Sequence, residues 1–333
     1  MVAGSWSRLA AFDWVAFRQV YANIRWIWMA LAAFLVLGTY AGRVLRWKVM
    51  IRPIAPNSSW WRIFKATAIG FTSVVVLGRP GELVRPWLIA KSENVSFSSQ
   101  MAAWFLERIF DLLAVLALLG FGLWQFNGRG PTTNVEVGPA IQWILNTGGG
   151  ITVFLAVICL VILFVAGRSQ ELFTRRISEG LGFLPESLKG KVDSTVRSFT
   201  AGMGACSRPS DLLQLFAYTI IEWVIIVGAM VCFFKAFPAT AELTPMDCVI
   251  YLGFTAFGSI IQIPGIGGGV QIAGTVVLTE LFGLSAETGS GIAIANWLVT
   301  WVSILPVGLG LAASEGLQWS SLRNISEEID KQT

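Results

Sequence analysis

Residues 288–314 run for 27 positions without a charged side chain. A helix that crosses a bilayer needs about 20 mostly apolar residues, so this run reads as a membrane span. Four further stretches meet the same requirement: 26–42, 101–126, 137–167 and 212–237. The second of these carries Glu107, Arg108 and Asp111 in its first half, and the fourth is interrupted by Glu222 and Lys235. Only 13% of the chain is charged, against about 25% in a soluble domain. The fold class this predicts is an all-α polytopic membrane protein with about five full spans.

Two apolar stretches fit that scheme badly. Residues 66–78 give only 13 positions before Arg79-Pro80-Gly81-Glu82. Residues 248–279 are free of charge, but Pro264-Gly265-Ile266-Gly267-Gly268-Gly269 interrupts them, and helix propensity collapses at Pro and Gly. Each stretch is read as a re-entrant helical hairpin broken inside the membrane. Backbone freed at such a break survives only against protein or a watered cavity. A competing reading makes 248–279 one kinked span and places the C-terminus outside.

Loop charge sets the orientation. Residues 43–65 hold six bases and no acid, and residues 168–208 hold seven bases and four acids. Residues 125–148 have one base against one acid, and 238–247 have two acids and no base. The two basic loops are therefore expected on the cytoplasmic side. One crossing separates Arg52 from Arg129, so residues 66–91 must enter and leave on the cytoplasmic side. Residues 248–281 would enter and leave from the opposite face. A hairpin followed by a span then occurs twice with inverted orientation, the pattern of inverted-repeat transporters. Trp26, Trp28, Trp47, Trp60, Trp61, Trp124 and Trp143 lie near expected span ends and read as interfacial anchors.

Several function classes fall away. The chain has no histidine, which removes His-based triads, metal ligands and proton relays. Its four cysteines form no CxxC pair, and no metal or cofactor is expected. No GxxxxGK[ST] loop is present, so the chain carries no P-loop ATPase of its own. The net charge of +4 is assigned to cytoplasmic loops rather than to nucleic-acid binding.

Three clusters carry candidate chemistry. In the first, Arg79, Gly81, Glu82 and Arg85 lie at the break of the first hairpin. Free backbone N–H groups beside two guanidiniums would suit a phosphate-sized anion. The bland reading is a structural ion network or snorkelling arginines. In the second, Glu107 and Asp111 share a helix face with Arg108 between them. They read either as clamps that hold Arg79 or Arg85, or as groups for gating or protonation. The third is the second hairpin, with Gln262, Pro264, Gly265, Gly267, Gly268 and Gln271. Its glycines permit close approach of a ligand or of a neighbouring helix. Glu222, mid-span, is a functional candidate by position, and Asn296 and Trp297 lie in the last span.

The run GRPGELVR, followed by ERIFD and a late PGIGGG, resembles the lysylphosphatidylglycerol synthase transmembrane-region family, over residues 26–310. The resemblance implies a bacterial or archaeal cytoplasmic-membrane protein that moves lipids between leaflets. By position, Gly81, Glu82 and Arg85 match the first motif, Glu107, Arg108 and Asp111 the second, and Pro264, Gly265, Gly267 and Gly268 the third. Two departures stand out. Many relatives carry a glutamate just after the glycine break, where this chain has Val270-Gln271. Relatives also carry a further helix ahead of the position of Trp26, and the aminoacyl-transferase domain of the name-giving enzymes is not found in this sequence.

The expected organisation is an interfacial segment at 1–23, one transmembrane domain at 24–313 with a cytoplasmic hairpin loop at 168–208, and a polar cytoplasmic tail at 314–333. The expected function is non-enzymatic translocation of an anionic or phosphate-bearing lipid through a cavity at the two hairpins. The alternative is a non-transporting lipid-binding or scaffolding subunit that partners an envelope-biosynthesis enzyme.

Overall fold

The computed structural model describes residues 12–129, 150, 152–161, 194–195, 197–204, 208–259, 262–263 and 267–316. The described parts are helical apart from one two-stranded ladder. Most of the 137–167 stretch, of the 168–208 loop and of the tail beyond 316 lies outside them, as do Pro264 and Gly265. The chain divides into two compact units. One holds 1–36, 115–153 and 225–303, and the other 37–114, 154–224 and 304–333.

The second of these units begins in α2 (Trp26–Ile51), which does not end at the first arginine of the basic run. No Pro or Gly falls between Arg43 and Ile51, so the helix continues through that run to Pro53. Helix α3 (Trp60–Leu77) is capped by the Ser59 side chain, which accepts from the Arg62 amide. Its 18 residues therefore extend beyond the apolar 66–78 stretch, and they are long and apolar enough to cross a membrane. Shortness thus no longer argues for a re-entrant segment there.

Gly78, with φ of 71°, turns the chain out of α3. That is a conformation most L-residues avoid. A 3-10 turn (Arg79–Leu83) and α4 (Val84–Glu93) then run back along α3. A Cβ on Gly81 would overlap the Ser73 carbonyl, and one on Gly70 would overlap Arg85. The backbones touch where side chains would hold them apart. The hairpin closes at its base, where Glu93 accepts from the Ser59 amide at 3.1 Å and pairs with Arg62. Its two ends thus meet.

Helix α5 (Phe97–Arg129) follows, then α6 (Thr152–Val161) and α7 (Pro209–Lys235). Trp47, Met50, Ile63, Leu106, Phe110 and Leu215 form the main core of this unit. A smaller cluster joins Ile69, Val84 and Trp87 to Ala312 of α11 (Leu305–Ser314).

The other unit holds α1 (Trp14–Ala22), whose Tyr21 hydroxyl donates to the Gly291 carbonyl at 2.9 Å. Helix α8 (Pro245–Gly258) starts at a Thr244/Asp247 capping box with Pro245 in its first turn. A short antiparallel ladder follows, pairing β1 (Gln262–Ile263) with β2 (Gly267–Gly268). Helix α9 (Gly269–Val276) and a π turn (Val277–Leu281) then return along α8. The second break is thus a strand turn, where two abutting half-helices were expected. Helix α10 (Ala286–Trp297) packs against α9, over a core of Phe233, Phe234, Phe237, Tyr251, Leu278 and Ile292.

Among the described residues, four helical segments are long and apolar enough to cross a membrane: Trp26–Ile51, Trp60–Leu77, Pro209–Lys235 and Ala286–Ser314. Exposure along α7 runs opposite to that of a soluble helix. Glu222 is 1% exposed, whereas its neighbours Ile221 and Val224 are 55% and 66% exposed. Charge inside and large aliphatic groups outside is the pattern of a chain solvated by lipid. The protein is a multi-pass membrane protein.

Candidate functional site

Arg43 and Arg46 of α2 lie three residues apart and so share a helix face. Both turn inward, and seven ionisable side chains meet there within the one unit. Helix α4 supplies Arg85 from its first turn, α5 supplies Glu107, Arg108 and Asp111, and α7 supplies Glu222 from its middle. Glu222 is thirteen residues from either end of α7, about 20 Å along the axis.

The network is dense. Arg46 Nη1 lies 2.6 Å from Asp111 Oδ1 and 3.0 Å from Glu222 Oε2, and its Nη2 lies 3.5 Å from Glu107 Oε1. Arg43 reaches Glu222 Oε1 at 3.1 Å and Asp111 Oδ2 at 3.8 Å. Arg85 Nη1 and Arg108 Nη2 share Glu107 Oε2, at 2.7 and 3.2 Å. Arg108 also pairs with Asp111 Oδ2 at 3.3 Å. Every carboxylate bridges at least two arginines, which is how charge is held away from water.

Aromatic rings line the guanidiniums. Arg85 stacks 4.0 Å from the Trp47 ring centre, and Arg43 lies 4.9 Å from Phe71. Trp47 is held in turn by donating its indole N–H to Gln100 Oε1 at 2.9 Å. Arg46, Arg85, Glu107 and Glu222 are buried, whereas the Arg108 side chain is 39% exposed. The accessible edge of the network is therefore Arg108. The Nε of Arg85 and the Nε of Arg108 make no hydrogen bond among the described residues. Such an arrangement has the parts to receive an anion at one side while its other charges stay fixed.

The residues singled out in the sequence fall in different places. Arg85, Glu107, Arg108, Asp111 and Glu222 come together. Arg79 sits at the hairpin turn with its side chain 48% exposed, paired with Glu82 at 2.7 Å. Gly81 is buried at the turn as backbone packing. In the second hairpin, Gln262 pairs with Gly268 and Ile263 with Gly267 in the strand ladder. Gln271 Oε1 accepts from the Gly268 amide at 2.7 Å, and so caps the start of α9. Asn296 donates to the Tyr251 hydroxyl at 3.3 Å.

Arg43 and Arg46 are the members of the network that sequence reading missed. Counted among the loop bases, they instead pair with Glu222. The signal was present in their spacing and in the lack of a helix breaker before Pro53. Trp47, read as an interfacial anchor, is buried against Arg85. Among the described residues, no group of three or more acids or cysteines is placed to hold a metal ion.

A family model for the lysylphosphatidylglycerol synthase TM region matches residues 1–308. No curated protein matches the chain. No solved structure matches it either.

Proposed function

Because the chain belongs to the lysylphosphatidylglycerol synthase TM-region family, we propose that it is a flippase-like lipid translocase, which carries an anionic or phosphate-bearing headgroup between leaflets. The observation that carries this reading is the buried ion network, with Arg108 as its accessible edge. An ionisable group within a span is costly, by about 2.5–3.5 kcal/mol at the centre on insertion scales. Six such groups gathered around mid-helix Glu222 point to use rather than accident.

In this reading Arg108 meets the headgroup phosphate, and Arg43, Arg46 and Arg85 hold the carboxylates that position it. The acyl tails stay in lipid while the headgroup passes along the charged face. The protein acts on lipid without chemical change, and movement is facilitated or is driven by an ion gradient or the membrane potential. The basic loops lie on the cytoplasmic side of a bacterial or archaeal cytoplasmic membrane.

A second reading is favoured by the saturation of Arg46, which all three carboxylates contact. A centre held this tightly at Arg46 suits a fixed lipid-binding subunit that supports an envelope enzyme. Reconstitution into liposomes separates the two. A headgroup-accessibility assay with labelled anionic lipid is expected to show exchange faster than in empty liposomes. Retention of lipid with no acceleration for any native lipid class would favour the fixed subunit.

A further inference from the structure

The ion network is unbalanced. Four guanidiniums (Arg43, Arg46, Arg85, Arg108) face three carboxylates (Glu107, Asp111, Glu222) through a continuous set of ion pairs. One positive charge among these residues has no counter-charge within the network. Uncompensated charge at the border of an apolar interior is disfavoured, so the network gains from one added negative charge.

The surplus can be located. Arg46 touches all three carboxylates and is fully compensated. Arg43 touches two of them, with Glu222 closest at 3.1 Å. Arg85 holds Glu107 at 2.7 Å and is buried on Trp47. Arg108 takes what remains: it shares Glu107 with Arg85 and Arg46, and Asp111 with Arg43 and Arg46. Its own pairs are 3.2 and 3.3 Å long, its side chain is the most exposed of the seven, and its Nε, itself buried, has no hydrogen-bond partner among the described residues. The same holds for the buried Nε of Arg85, the arginine that shares an oxygen with it.

From this imbalance we infer that the network takes one singly charged anion at its Arg108 edge, the charge class of a phosphodiester. A phosphomonoester dianion overcompensates the network, and a zwitterion leaves its surplus unanswered. This rests on the translocase reading only for the source of the anion as a lipid headgroup. The charge class follows from the network itself.

Native mass spectrometry of the delipidated full-length protein tests it without any transport step. The probes are phosphatidylglycerol, phosphatidylethanolamine, and phosphatidic acid above its second ionisation, offered in competition. The wild type is expected to retain phosphatidylglycerol over either competitor by about tenfold. Arg108→Gln removes the surplus, and its preference for phosphatidylglycerol over phosphatidylethanolamine is expected to vanish. Asp111→Asn, near-isosteric, raises the surplus to two charges and is expected to shift retention toward phosphatidic acid.

Equal retention of the three lipids by the wild type, or the same order in all three proteins, overturns the inference. If tail-free glycerophosphoglycerol competes as well as the whole lipid, the charge class stands and the lipid source falls. Selective retention without transbilayer movement overturns the translocase reading and leaves this inference standing.

Discussion

Glu222 and Arg46 form an ion pair of 3.0 Å in which each side chain is only 1% exposed, on helices whose outer residues are large and aliphatic. Water cannot replace a missing partner there. Removing one member of such a pair leaves an unmatched buried charge, at a cost of about 3–5 kcal/mol. Glu222→Gln is therefore expected to lower the thermal midpoint in detergent markedly. Glu315→Gln, which removes the exposed partner of Lys65, a pair in which neither side chain is buried, is expected to leave it nearly unchanged. Equal midpoints for the two variants would show that the network is not a buried one.

The first hairpin depends on backbone contact at Gly81. Valine there has no room against Ser73, and overpacking of this kind costs about 1–3 kcal/mol. Gly310, in α11, has nothing within 4 Å of an added Cβ. Gly310→Ala is expected to be neutral or to stabilise by up to about 1 kcal/mol. Thermal unfolding of both variants checks the contrast.

Ser59 and Glu93 meet at the base of the first hairpin, so both of its ends are expected on one side of the membrane. In a background without the four native cysteines, Asn57→Cys and Lys91→Cys should react with a membrane-impermeant maleimide from the same side. Both positions are exposed. Labelling from opposite sides would require residues 60–90 to cross once, against the hairpin described.

Gln271 acts as a cap, accepting from the Gly268 amide. A glutamate at this position can accept the same bond, so Gln271→Glu should keep the melting midpoint. Gln271→Leu loses the cap and should cost about 1 kcal/mol. Comparison of the two midpoints tests it.

Much of this was legible in the sequence, and the failures share a cause. Long apolar runs marked the regions of α7 and of α10 with α11, because a bilayer demands length and apolarity together. Of the two arginines, Arg79 and Arg85, that spacing offered to the carboxylates of α5, Arg85 pairs with Glu107, while Arg79 pairs with Glu82 at the turn. Arg43, Arg46 and Trp47 were misread because residues after an apolar run look like a loop in a charge count. A helix has no reason to stop until its backbone is broken, and here the break is Pro53. The same error shortened α3, whose first turn carries Arg62. The strand ladder at 262–268 was illegible, since four residues of pairing leave no period to detect.

The account turns on Arg108 as the contact between a buried ion network and a lipid headgroup. The direct measurement is headgroup accessibility in liposomes reconstituted with equal amounts of folded wild type or Arg108→Gln, using a labelled phosphodiester lipid. The account predicts exchange above that of empty liposomes for the wild type, reduced about tenfold or more in the variant while its thermal midpoint stays close to wild type. Wild-type exchange no faster than empty liposomes, or an Arg108→Gln rate equal to wild type, would contradict it.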